Sequence, residues 1–335
     1  MSRTQPFRYP RSALQLLMLL SLLAAIAQTG CAGTVESLGA VMSYRGAPLA
    51  AEQIVRDISY RESADTKNGD KHRLDLFLPT KGGESFPTMI FIHGGGWTDG
   101  DRNTGLFSIR PYQNLGRFWA RQGIAVAVVS YRLQPAVDWH AQIADVADAT
   151  AWVRAHIAEY GGRPDALYVS GHSAGAWLAA RLAFDPTAQD RARIEPGDLC
   201  GAILVSGAAF DVNDPKTYAL GSSPKYFAAR FDDQRSDWKT RASIVPLAQR
   251  MPTGAAPPAR IFFAEGEAKT FERQAELLET ALDASGQDVK RQRIPGLNHQ
   301  KIVISMSLAE TPLVESIRTF LQEADCQAKP TAHTR

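Results

Sequence analysis

The chain has 335 residues, 37 Lys and Arg against 35 Asp and Glu, a net charge of +2, and 44% hydrophobic residues. That is enough apolar chain for one large domain with a full core, and too even a charge to make nucleic acid the expected partner. None of the three cysteines lies in a Cys-x-x-Cys pair or a Cys/His cluster, so a structural zinc site has no ligand set and no metal is expected.

Arg3, Arg8 and Arg11 precede an apolar run from Ala13 to Ala27, followed by Gln28-Thr29-Gly30-Cys31. A basic start, a short apolar stretch and small residues mark an export signal. The run is about fifteen residues long, short of the ~20 that cross a bilayer. The Thr-Gly-Cys ending resembles the lipobox of bacterial lipoproteins. The resemblance implies that residues 1–30 are removed and that Cys31 is lipidated, tethering the mature chain to a membrane on the periplasmic side; simple secretion or release into the periplasm is the alternative. Cys200 and Cys326 could pair in such an oxidising compartment, but spacing alone does not establish a disulfide.

Residues 31–53 read as a linker, after which β-type and helical segments alternate. Ile54–Tyr60 and Arg73–Leu78 suit a hairpin whose connection contains Asn68-Gly69. Thr88–His93 and Ile124–Ser130 are continuous apolar runs of the kind that fill a sheet covered on both faces. From Ala141 the period is helical, with Ile143, Val146, Val153 and Ile157 on one face, until Gly161-Gly162-Arg163-Pro164 ends it. Strands are predicted at Ala166–Ser170, Ala202–Ser206, Arg260–Ala264 and Val289–Ile294, and helices at Phe271–Ala284 and Thr311–Glu323. The alternation implies an α/β domain over residues 54–325, a mostly parallel twisted sheet with helices on both faces. The irregular stretch 211–258 reads as a lid or rim over the carboxyl edge of the sheet, and residues 326–335 as a tail.

Two motifs carry chemistry. Gly171-His172-Ser173-Ala174-Gly175 joins a buried strand to an alanine-rich helix and fits G-x-S-x-G. On such an elbow the serine takes strained backbone angles, and the flanking glycines let strand and helix close in. The hydroxyl is then held at the positive end of the following helix. His93-Gly94-Gly95-Gly96-Trp97 directly follows another strand. A glycine run can point several amides at one ligand oxygen, as an oxyanion hole requires. Neither G-x-x-x-x-G-K-[ST] nor a fitting G-x-G-x-x-G is present, so a nucleotide is not expected.

With Gly100-Asp101-Arg102, Ser130-Tyr131-Arg132-Leu133 and a late Gly296-Leu297-Asn298-His299, these residues resemble the α/β-hydrolase family, in particular its hormone-sensitive-lipase-like carboxylesterases and arylformamidases. The resemblance implies an α/β-hydrolase fold with Ser173 as nucleophile, His299 as general base and the amides of Gly95, Gly96 and Ala174 as oxyanion donors; no cofactor is needed. Many members place Asp three residues after a glycine beyond the seventh strand, where this chain has Lys269. The arylformamidase-like pattern E-x-x-x-F-x-R-Q is matched by Glu267, Phe271, Arg273 and Gln274. Glu267 is therefore chosen as triad acid over Glu265, Glu272 and Asp211.

Other candidates have plainer readings. His93 would brace the glycine loop, and His172 would pack or orient. His72, His140 and His156 have no convergent partners and read as solvated or capping. Trp97 would bind substrate or pack beneath the loop, and Asp145 and Asp148 read as a solvated helix face. The expected function is hydrolysis of short-acyl carboxylic esters through an acyl-enzyme. An N-formyl amide hydrolase and a catalytically silent binding protein are the alternatives.

Overall fold

The computed structural model describes residues 53–62, 71–80, 85–105, 110–195 and 197–323. The signal at 1–30, Cys31, all but the end of the 31–53 linker, Asn68-Gly69, Cys326 and the 326–335 tail lie outside the described residues.

Short runs of β-branched and apolar residues form the sheet. Its strands are β1 (Ile54–Ser59), β2 (Arg73–Phe77), β3 (Phe86–Ile92), β4 (Ala125–Val129), β5 (Gly162–His172), β6 (Leu199–Val205), β7 (Ala259–Ala264) and β8 (Val289–Ile294). Their spatial order is β1-β2-β4-β3-β5-β6-β7-β8. The β1–β2 and β2–β4 pairs are antiparallel and every later pair is parallel. Every residue of β4, β6 and β7 is buried, as strands covered on both faces must be. Cys200, near the start of β6, is disulfide-bonded to a partner outside the described residues.

The helices are α1 (Pro111–Arg121), α2 (Trp139–His156), α3 (Ala174–Phe184), α4 (Pro186–Ala192), α5 (Pro215–Ala219), α6 (Pro224–Phe231), α7 (Trp238–Ala242), α8 (Val245–Ala248), α9 (Lys269–Ala284), α10 (His299–Ser305) and α11 (Pro312–Glu323). α1 and the four short helices α5–α8 are not among the predicted elements; α1 begins at Pro111 and buries Tyr112, Leu115 and Trp119 at helical spacing, while α5 and α6 each begin with proline behind a side-chain cap, from Asp214 and Ser223. Stretch 211–258, between β6 and β7, contains α5–α8. All eleven residues of α3 are buried, and its alanines let it lie close on the sheet.

Two readings, of Asp145 on the helix after Tyr131 and of His72 before β2, are corrected. Asp145 is fully buried rather than solvated: it accepts from the Arg132 backbone and guanidinium at 2.7–3.0 Å and lies 3.1 Å from Nε2 of His72. His72 is correspondingly buried rather than solvent-facing. Burying a carboxylate requires such pairing. Asp148 bonds Arg191 through both oxygens at 2.7 Å. Among the described residues no group of His, Cys, Asp and Glu could hold a metal ion.

Candidate active site

Strand order decides where the site lies. From β3 the chain moves to β4 on one side, and β5 then pairs with β3 on the other. A crevice opens outside the carboxyl ends of strands at such a reversal. The glycine loop leaves β3 there, and Ser173 leaves β5.

Ser173 has φ 56° and ψ −120°, an unfavourable region for a residue with a β-carbon. The flanking glycines permit it. A β-carbon on Gly171 would lie 2.2 Å from the Gly175 carbonyl oxygen, and one on Gly175 would lie 2.1 Å from that of Ile92. The Ser173 amide is tied to the Val205 carbonyl at 2.9 Å, which locks the elbow to the end of β6.

His299 is the first residue of α10, and Asn298 caps that helix by accepting from the amides of Gln300 and Lys301. Nε2 of His299 lies 3.0 Å from the Ser173 hydroxyl, and Nδ1 lies 2.9 Å from Oε2 of Glu267. The other Glu267 oxygen accepts from the Ala264 amide at 2.9 Å and the Ser206 hydroxyl at 3.1 Å. The loops leaving β7 and β8 are joined by Glu265 N–H to Ile294 and Gly266 N–H to Leu297, which brings Glu267 beside His299.

The other carboxylates considered point elsewhere. Glu265 accepts from the Gly296 amide, Glu272 pairs with Lys269, and Asp211 accepts from the Asn213 amide. Phe271 packs its ring 4.5 Å from that of His299, while Arg273 pairs with Asp214 and Gln274 bonds the Asp211 backbone. Ser206 has no mark in the sequence: its φ of 48° and its place at the end of β6 are products of the fold.

In the glycine loop Gly95, Gly96 and Trp97 all have positive φ, a conformation that the two glycines adopt without the strain a β-carbon brings. Among the described residues no acceptor meets the amides of Gly95, Gly96 or Ala174. His93 stacks on Tyr131 at 4.4 Å and lies 2.7 Å, through Nδ1, from the Gly94 carbonyl, so Nδ1 carries the proton. Its Nε2 is buried with no acceptor, so a second proton has nowhere favourable to go. Burial lowers its pKa to about 4.

A cavity of about 580 Å³ holds Ser173 and His299. Trp97 is only 1% exposed and serves as part of its floor, packed against Trp177 and Phe231. Tyr226 and Phe227 of α6 wall the cavity, and the Tyr226 hydroxyl lies 2.8 Å from where a β-carbon on Gly96 would stand. Burial pushes the Tyr112 hydroxyl, another lining group, up to about 12. Among the described residues that line the cavity, Asp99 is the one carboxylate and none is a lysine or arginine.

An eight-stranded, mostly parallel sheet with a serine on a strained strand-to-helix turn defines the α/β-hydrolase fold. The BD-FAE family model matches residues 74–200. The chain is 35% identical over 130 residues to a probable isoprenylcysteine alpha-carbonyl methylesterase of Oryza sativa, covering 39% of this chain and 28% of that protein. It is 27% identical over 264 residues to the kynurenine formamidase of Danio rerio, covering 75% and 76%. The first three curated relatives are matched over 28% to 33% of their own length. The structure of esterase B from Lactobacillus rhamnosis superposes with a TM-score of 0.66 at 24% identity, covering 93% of this chain and 96% of that one.

Proposed function

We propose that this protein is a serine hydrolase cleaving carboxylic esters. Ser173 attacks the carbonyl as His299 takes its proton, and the amides of Gly95, Gly96 and Ala174 hold the oxyanion. The tetrahedral intermediate collapses, the ester C–O bond breaks and His299 gives its proton to the departing alcohol. Neutral His299 then takes a proton from water, which attacks the acyl-enzyme, and returns it to the Ser173 oxygen as the acid leaves. Glu267 keeps the proton of the neutral imidazole on Nδ1 and stabilises the imidazolium that forms. The observation that carries the reading is the continuous line Ser173–His299–Glu267, at 3.0 and 2.9 Å, beside three amides without protein acceptors. Aromatic rings and hydroxyls among the described lining residues, with no lysine or arginine among them, favour neutral esters. Tyr226 and Phe227 leave room for a short acyl chain.

The test is labelling with a fluorophosphonate, wild type against Ser173→Ala. Labelling confined to wild type is expected. Labelling that survives the substitution, or fails in both, removes the hydrolase reading in favour of a silent binding protein. Similarity to a formamidase over three quarters of the chain supports a second reading, hydrolysis of N-formyl amides. A kcat/KM for an N-formyl arylamine far above that for p-nitrophenyl acetate would establish it.

We also propose that the chain is exported and lipid-anchored through Cys31. The disulfide at Cys200 supports an oxidising compartment. Incorporation of a labelled fatty acid that persists in Cys31→Ala would overturn the anchor.

A further inference from the structure

His172 stands next to the nucleophile in the chain, yet the reaction above gives it no part. Its side chain is buried, with Nε2 2.8 Å from the backbone carbonyl of His299 and its ring centroid 4.7 Å from that of His299. A carbonyl can only accept, so Nε2 carries the proton and the neutral ring is fixed in one tautomer. We infer that His172 is a positioning residue whose Nε2–H···O=C bond to His299 sets the separation of nucleophile and base.

The geometry shows why such a bond matters. Ser173 leaves β5 and His299 follows β8, with β6 and β7 between those strands. Glu267 and Phe271 hold the imidazole ring of His299, and neither holds its backbone. The Asn298 cap orients α10 but belongs to the same loop and moves with it. His172 joins the backbone of residue 299 directly to the residue preceding Ser173, 127 positions away in the chain. Its neutrality suits the place. Burial, and then the neighbouring His299, hold its pKa well below the ordinary histidine range. A neutral donor anchors the base without placing a second positive charge against the imidazolium that forms in the reaction. The inference rests on the serine-hydrolase reading.

Steady-state kinetics on p-nitrophenyl acetate test it in wild type, His172→Gln and His172→Leu, with thermal unfolding to confirm folding. Glutamine presents an N–H at about the reach of imidazole Nε2, and leucine fills similar space without a donor. The leucine variant should lose roughly 10- to 100-fold in kcat with KM within about threefold, because misplacement by about 1 Å costs on the order of 100-fold in rate. The glutamine variant should recover most of that loss. Equal impairment of the two folded variants, or a leucine variant within about threefold of wild type, overturns the role of His172. Fluorophosphonate labelling of wild type and Ser173→Ala separates the failures. Labelled wild type with an indifferent His172 removes only this inference, whereas wild type that is neither labelled nor active removes the hydrolase reading as well.

Discussion

Replacing Glu267 by glutamine changes one atom and should nearly abolish turnover, for a reason set by the neighbours of the carboxylate. One oxygen of Glu267 accepts from the Ala264 amide and the Ser206 hydroxyl, and the other accepts from Nδ1 of His299. A backbone N–H cannot accept, so the glutamine must turn its oxygen toward Ala264 and its NH2 toward the imidazole. Nδ1 of His299 then becomes the acceptor, the ring proton moves to Nε2, and the nitrogen facing the Ser173 hydroxyl no longer has a lone pair to take its proton. A wrong tautomer of this kind lowers kcat by about 10⁴ in the serine-protease triad, or ~5.5 kcal/mol at ~1.36 kcal/mol per tenfold. The same loss is expected for Glu267→Gln on p-nitrophenyl acetate, with the unfolding temperature nearly unchanged because shape and packing are preserved. A glutamine variant that keeps kcat within tenfold of wild type would refute the reasoning and direct the search to another carboxylate.

Acid stability should be governed partly by His93, whose pKa falls from the ordinary histidine value of about 6.5 to about 4 through burial. The unfolded chain takes up a proton below about 6.5 that the folded chain refuses until about 4. Stability therefore falls with pH across that window and levels off below it, by ~3 kcal/mol in all at ~1.36 kcal/mol per unit. Urea midpoints at pH 7 and 4.5 should converge in a folded His93→Gln variant, and an unchanged difference would contradict this origin. Opening the wall over Gly96 with Tyr226→Ala should raise kcat/KM for the octanoate relative to the acetate ester by about tenfold, the value of roughly two newly buried methylenes at ~0.8 kcal/mol each; an unchanged ratio would acquit Tyr226 as the limit on acyl length. Gly175→Ala forces a β-carbon to 2.1 Å from the Ile92 carbonyl oxygen, an overpacking that should cost about 3 kcal/mol by urea denaturation. A cost below about 1 kcal/mol would show that α3 can move off the sheet.

Local chemistry accounts for what could be read from the chain. The elbow and the glycine loop are contiguous runs whose composition follows from backbone angles and close approach at their own positions. The central strands β3 to β7 announce themselves because strands covered on both faces contain continuous apolar runs, whereas β1 and β8 at the sheet edges are half-exposed and mixed in composition. Helices α5–α8 carry no comparable stripe, being short and tethered by contacts such as Gln274 to the Asp211 backbone and to Thr217.

Sequence alone determined where a hydroxyl could be held on a strained corner and where amides could be turned outward, since each depends on a handful of adjacent residues. Tertiary structure decided what meets that hydroxyl. Glu265, Glu267 and Glu272 are the same residue type within eight positions of the chain, and only the bonding of the β7 and β8 exit loops turns Glu267 to His299. Ser206 behind that carboxylate, His172 under the base and the buried contact of Asp145 with His72 likewise arise from residues far apart in the chain. Side-chain hydrogen bonds between distant segments leave no periodicity in a sequence, because their geometry is set only when the sheet has assembled.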